Sequence, residues 1–116
     1  MAFLDLKDGA KLYYEVHGEG DPFIFLNGIM MNTLSWAAYI PVLSKQFKLI
    51  LVDLRDQGQS SKMQEGYELD IHVGDLTSLI DELALPKVHI MGPSYGGNVA
   101  LKFALLHQDR LKTLML

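Results

Sequence analysis

Four short apolar runs, with helical patterns between them, constrain this fold more than any other feature. Phe23-Ile24-Phe25-Leu26 and Leu49-Ile50-Leu51-Val52 are apolar at every position, and Val88–Met91 and Leu111–Leu116 are the third and fourth runs. A strand with one wet face alternates apolar and polar residues, whereas a strand covered on both faces reads as a continuous apolar run. Between the runs, Leu76, Leu79, Ile80 and Leu83 fall at i, i+3, i+4 and i+7, one buried face of a helix that Pro86 stops. Val99, Ala100, Phe103 and Ala104 make a second such face. Trp36, Ile40, Leu43 and Phe47 predict a helix somewhere inside Thr33–Phe47, short or beginning near Pro41. At the start, Phe3–Lys7 and Leu12–Val16 flank Asp8-Gly9 and read as a β-hairpin. A polar loop is expected from Arg55 through Gly58, Ser60 and Ser61 to Gly66. The order predicts an α/β fold: an opening hairpin, then a mostly parallel sheet with helices on both faces.

Composition narrows the function. The 116 residues are one domain's worth or less, and 49% hydrophobic against 21% charged residues suits an ordinary core. A net charge of −4 and the absence of any basic run argue against a nucleic-acid partner. The apolar runs are strand-sized, too short for a membrane span, and Met1–Asp5 lacks the pattern of a secretory signal. With no cysteine, disulfides, thiolate catalysis and thiolate metal sites are excluded. No metal and no cofactor are expected, and the default location is cytoplasmic.

Between the third apolar run and its helix lies Gly92-Pro93-Ser94-Tyr95-Gly96-Gly97, a G-x-S-x-G sequence in a strand–turn–helix context. Such a turn holds the serine in a strained conformation that lifts its hydroxyl above the sheet. Gly92 and Gly96 are needed where neighbouring backbone leaves no room for a Cβ. The helix start beneath Ser94 offers N–H groups and the positive end of a dipole, which suit an oxyanion. The competing reading is a glycine-rich turn with an inert serine.

Two further segments bear on that choice: Leu26-Asn27-Gly28-Ile29 after the first apolar run, and Asp53-Leu54-Arg55-Asp56-Gln57-Gly58-Gln59-Ser60 after the second. With these in place, the chain from Phe3 to Leu116 resembles the first half of the α/β-hydrolase family, in its esterase and C–C hydrolase branch. Members typically show His-Gly where this chain has Asn27-Gly28, and Asp-x-Arg-Gly-x-Gly-x-Ser where it has Asp56 in place of the first glycine. They usually carry His before the elbow serine, where this chain has Pro93. The resemblance implies that Ser94 is the nucleophile. It implies that the backbone N–H groups of Ile29 and Tyr95 form the oxyanion hole, with Gly92 and Gly96 shaping the elbow. Met30, Met31 and Tyr95 would line the acyl pocket, with ordinary loop packing the alternative for all three. Dehalogenases and epoxide hydrolases of the family carry a carboxylate at the elbow, so Ser94 argues against both.

A serine needs a histidine to take its proton and an acid to orient that histidine. In the family both follow the elbow by several strands, and this chain ends one strand past it. His17, His72, His89 and His107 are expected to be structural, and Asp53 and Asp81 to serve solvation or loop bonding. Residues 1–116 are thus expected to be the N-terminal portion of one domain whose lid, triad acid and histidine lie in a C-terminal portion. Leu111–Leu116 would be an apolar sheet edge prone to association. The expected partners are a small-molecule substrate and either the C-terminal half of the same enzyme or another copy of the chain. The leading function is a serine hydrolase of an ester, thioester, amide or activated C–C bond, complete only with the second half. The rivals are a non-catalytic binding module on the same fold and an inactive fragment.

Overall fold

The computed structural model describes residues 2–63 and 68–116. The expected polar loop up to Gly66 passes through residues 64–67, which lie outside the described residues. Six strands form one sheet: β1 (Ala2–Asp5), β2 (Lys11–His17), β3 (Asp21–Leu26), β4 (Phe47–Val52), β5 (Val88–Met91) and β6 (Leu111–Met115), in the order β1-β2-β4-β3-β5-β6. β1, β2 and β4 pair antiparallel, and β4, β3, β5 and β6 run parallel. Among the described residues the α-helices are α1 (Ile40–Leu43), α2 (Leu69–Glu82) and α3 (Ser94–Leu106). This is an α/β fold with an opening antiparallel hairpin and a mostly parallel sheet.

The continuous apolar runs are explained by their parity. Ile24, Leu26, Ile50, Val52, Val88 and Ile90 point to one face, where α2 and α3 cover them with Val73, Leu76, Leu79, Val99 and Phe103. Phe23, Phe25, Leu49 and Leu51 point to the other and pack with Trp36, Ile40 and Leu43. A period-2 strand can only be apolar throughout if both faces are dry, and β3 and β4 are.

Three expectations about boundaries are corrected, and the short helix expected near Pro41 is present. The hairpin loop is wider than Asp8-Gly9: β1 stops at Asp5, and Leu6–Ala10 closes through Leu6 N–H to Ala10 O (2.8 Å) and Gly9 N–H to Leu6 O (3.0 Å). The segment read as helix within Thr33–Phe47 is a 3₁₀ stretch over Thr33–Tyr39, capped by Asn32, followed by the single turn α1 with Pro41 near its start. Proline lacks an N–H, which costs nothing in a first turn. Phe47 is not helical; it begins β4. Lastly, β6 ends at Met115, and its Lys112 and Thr113 are exposed, so it is less buried than a central strand. β6 stands at the sheet edge, pairing only with β5 among the described residues.

Candidate functional site

Strand β5 leads through Gly92 and Pro93 directly into α3, whose first residue is Ser94. Ser94 has φ 51°, the left-handed region that a residue with a Cβ seldom adopts. Such a conformation costs about 1–3 kcal/mol and persists only where the surroundings enforce it. Here the close approach of three backbones enforces it. A Cβ on Gly92 would lie 2.5 Å from the Gly96 carbonyl carbon and oxygen. One on Gly96 would lie 2.7 Å from both the Leu26 and Asn27 carbonyl oxygens. The end of β3 therefore presses onto the first turn of α3, and the Ser94 side chain is left exposed.

The chain after β3 makes a tight turn beside that serine. Gly28 is buried, and a Cβ there would stand 3.4 Å from the Pro93 carbonyl oxygen and 3.6 Å from Ser94 Cβ. Met31 N–H donates to Gly28 O at 3.2 Å, and Met30 at φ 67° has the positive angle of the third position of a type II turn. Ile29 and Met30 project outward, with Met30 96% exposed. Ile29, Met30, Met31 and Tyr95 all line one cavity of ≈ 480 Å³, which also includes Gln57 and Gly58 from the loop after β4. The structure thus brings Ser94, Gly28 and the cavity-lining residues to the same end of the sheet.

The ties between the β3 and β4 loops run between side chains far apart in the sequence, so no local pattern signals them. Asn27, fully buried, donates through Nδ2 to Val52 O (3.0 Å), Asp53 Oδ1 (3.0 Å) and Gln57 Oε1 (3.1 Å), while its Oδ1 accepts from Trp36 Nε1 (2.7 Å). Indole N–H can only donate and the Val52 carbonyl can only accept, so the orientation of the Asn27 amide is fixed. Asp53, also buried, accepts from the Thr33 N–H (2.9 Å) and the Gln59 N–H (3.1 Å). Burial pushes its carboxyl above the usual carboxylate range, although the Gln59, Asn27 and Thr33 donors pull the other way. A Cβ on Gly58 would collide with this carboxylate, which accounts for the glycine. Asp56 takes φ 72° where the family pattern has glycine. Aspartate tolerates the left-handed region better than most residues, and here its Oδ1 also accepts from Met63 N–H at 2.8 Å.

Arg55 fastens the same loop to α2 and to the turn between β1 and β2. Its guanidinium meets both carboxylate oxygens of Asp75 (Nε to Oδ2 2.7 Å, Nη2 to Oδ1 2.9 Å) and Asp8 Oδ2 (2.6 Å). The bond to Asp75 above all raises the arginine's affinity for its proton.

Among the described residues, no histidine is hydrogen-bonded to Ser94. His17 pairs with Glu15 (2.8 Å), His89 with Thr113 (2.7 Å), and His107 stacks on Phe103. His72 is fully buried in α2, with neither ring nitrogen partnered among the described residues and its ring edge-on to Tyr95 at 5.4 Å. Burial pushes its pKa down. Asp81 receives Arg110 (2.6 Å) at the surface. No group of three or more His, Cys, Asp or Glu is placed to hold a metal, and no helix is long and apolar enough to cross a membrane, among the described residues.

Comparison with known proteins agrees with this geometry. Residues 21–116 match the family model described as alpha/beta hydrolase fold. The soluble epoxide hydrolase of Corynebacterium sp. (strain C12) is 32% identical over 109 residues, covering 94% of this chain and 38% of that protein. MGS-M2, an alpha/beta hydrolase enzyme from a Medee basin deep-sea metagenome library, superposes with a TM-score of 0.93 at 37% identity, over 97% of this chain and 42% of its own. The enol-lactonase of Burkholderia xenovorans LB400 does so with a TM-score of 0.91 at 26% identity, over 97% and 45%. The chain spans less than half the length of each of these proteins. A serine in a strained strand-to-helix turn, the neighbouring β3 turn and the matched family model lead to one conclusion: this chain belongs to the alpha/beta hydrolase fold family.

Proposed function

We propose that the chain carries the nucleophile half of a serine hydrolase that cleaves an ester, thioester or related acyl bond. The observation that carries the reading is Ser94 itself: exposed, at φ 51°, and beside the β3 turn, where a Cβ on Gly28 would come within 3.6 Å of the Ser94 Cβ. In the proposed cycle a histidine from the C-terminal portion, oriented by an Asp or Glu there, takes the Ser94 hydroxyl proton. Oγ attacks the acyl carbon, and the resulting oxyanion accepts from the Ile29 and Tyr95 N–H groups. The leaving group departs with the proton, and water then releases the acid from the acyl-Ser94 ester. Met30, Met31 and Tyr95 face the acyl group. A carboxylate at Ser94's position would open epoxides instead, so similarity to an epoxide hydrolase extends to fold and not to this step. No metal or cofactor takes part in the proposal.

The partner in this reading is the C-terminal portion of the same enzyme, seated along the open edge of β6. One observation favours the rival, a binding module on the same fold: no described histidine is bonded to Ser94.

Turnover of a p-nitrophenyl ester separates the two. The chain alone is expected to show at most a faint rate, since loss of triad members still leaves about 10³–10⁴-fold over water. Co-expression with the completing C-terminal polypeptide restores turnover, and Ser94→Ala abolishes it. Full Ser94-dependent turnover by the chain alone would mean that His17, His72, His89 or His107 is the base. An inert completed protein would leave the binding module.

A further inference from the structure

We propose that Gln57 is a positioning residue for the oxyanion site, setting the plane of the Gly28–Ile29 peptide and so the direction of the Ile29 N–H. The inference rests on the reading of that N–H as an oxyanion donor, and it concerns what aims it. A trans peptide is planar, with its carbonyl oxygen and the following N–H pointing in opposite directions. Whatever fixes Gly28 O therefore fixes the Ile29 N–H.

Packing anchors this turn only at its ends, through buried Gly28 and through Met31 against the aromatic core cluster. Gly28 has no side chain, and Ile29 and Met30 are 67% and 96% exposed, so packing does not clamp them. Met30 is in a strained conformation that an untethered turn would leave. Within the turn, Met31 N–H reaches Gly28 O at 3.2 Å, and Gly28 N–H meets only the Met31 thioether sulfur, a weak acceptor, at 3.2 Å. Among the described residues, one hydrogen bond joins another element to the backbone of residues 28–31: Gln57 Nε2 to Gly28 O, 3.2 Å.

The Gln57 amide cannot turn over. Its Oε1 accepts from the Leu54 N–H (3.0 Å), which can only donate, and from Asn27 Nδ2 (3.1 Å), whose own orientation Trp36 fixes. Nε2 must then face the Gly28 carbonyl. The chain of constraints runs from Trp36 and Leu54 through two side-chain amides to a single peptide plane beside Ser94. Such support matters because donors act on an oxyanion only when already aimed at it, and a misplacement of about 1 Å can cost of order 10²-fold in rate.

The test uses the completed, active protein with three variants: Gln57→Leu, which removes the amide; Gln57→Glu, which keeps the shape and exchanges the donor for an oxygen; and Ser94→Ala. Both Gln57 variants are expected to lose about 10- to 100-fold in kcat with KM changed less than about twofold. For Gln57→Glu, the deficit relative to wild type at the same pH narrows as pH falls, because the protonated carboxyl again offers Gly28 O a donor. A residue that merely stabilised the loop would show no such recovery. In ¹⁵N-labelled protein the Ile29 amide resonance shifts or broadens in both variants while that of Val99, inside α3, stays in place. Unchanged kcat in both Gln57 variants, with Ser94-dependent turnover intact, overturns the role assigned to Gln57 and leaves the serine mechanism standing. Turnover indifferent to Ser94→Ala overturns the mechanism, and the Ile29 amide then decides the positioning alone. An Ile29 resonance unmoved in both variants refutes it.

Discussion

Replacing His72 by leucine is expected to stabilise the protein and to remove part of its sensitivity to acid. His72 is a histidine on the apolar face of α2, wholly buried, with neither ring nitrogen partnered among the described residues. Leaving a buried polar group without a partner costs about 1–3 kcal/mol, and the neutral imidazole carries two such groups, one donor and one acceptor. Against this stands the edge-to-face contact with Tyr95 at 5.4 Å, of a kind worth about 0.5–1.5 kcal/mol. Leucine restores apolar contact in a similar volume, so the net gain is about 0.5–5 kcal/mol at neutral pH. The pH dependence has a definite sign. Burial lowers the folded-state pKa below the ordinary histidine value of 6.5, so the unfolded chain binds the proton more readily. The stability this group allows is complete above pH 6.5 and is lost as pH falls toward the folded pKa. One proton limits the slope to about 1.4 kcal/mol per pH unit. The charges around the ring, Asp75 and Asp56 against Arg55, do not reverse the direction. Urea denaturation of wild type and His72→Leu at a series of pH values from neutral down to about 5 measures both effects. The two curves should diverge on the acid side. A variant less stable at pH 7.5, or one with the wild-type acid slope, would show that His72 has a partner in solution and refute the reasoning.

Two other substitutions test the supports of the site. Gly96→Ala places a methyl 2.7 Å from the Leu26 and Asn27 carbonyl oxygens, so β3 and α3 must separate. A loss of about 1–3 kcal/mol and a lower Ser94-dependent rate are expected, and a variant with wild-type melting and turnover would contradict the close approach. Arg55→Met strands Asp75, whose side chain is only 7% exposed, beneath a loop it no longer holds. The expected cost is about 3–5 kcal/mol by denaturation, and Arg55→Met/Asp75→Leu should recover most of it, whereas no recovery would mean that the pair contributes through packing alone.

The sheet was legible because its signal is local and redundant. Each residue of Phe23–Leu26 and Leu49–Val52 carries the same message, and no polar residue interrupts either run. Phe47 was misplaced for the opposite reason. It lies seven residues after Ile40, which suits a helical face, but only its partner Asp21 across β3 makes it a strand residue, and pairing over 26 positions leaves no trace in local spacing. The 3₁₀ stretch from Thr33 to Tyr39 likewise has no period of its own; Asn32 and Ser35 start it through reciprocal capping bonds.

The site was legible where chemistry demands a residue type, and illegible where one side chain supports another. A serine flanked by glycines announces a strained turn, and φ 51° at Ser94 agrees. Asn27 announces nothing. It stands where the family usually has histidine, yet it is among the most fully bonded side chains in the molecule, with four partners drawn from β4, the Asp53–Gln57 loop and the 3₁₀ stretch. Its amide has two hydrogens for three acceptors, so one hydrogen is shared, and the remaining demand on Asp53 is met by the Thr33 and Gln59 N–H groups. The consequence is that Asn27, Asp53 and Gln57 form one unit: an imidazole at position 27 could not give two donors and also accept from Trp36. Restoring the family histidine at Asn27 alone should therefore leave a buried group unpaired, and the substitution is compatible with this loop only if Gln57 changes with it.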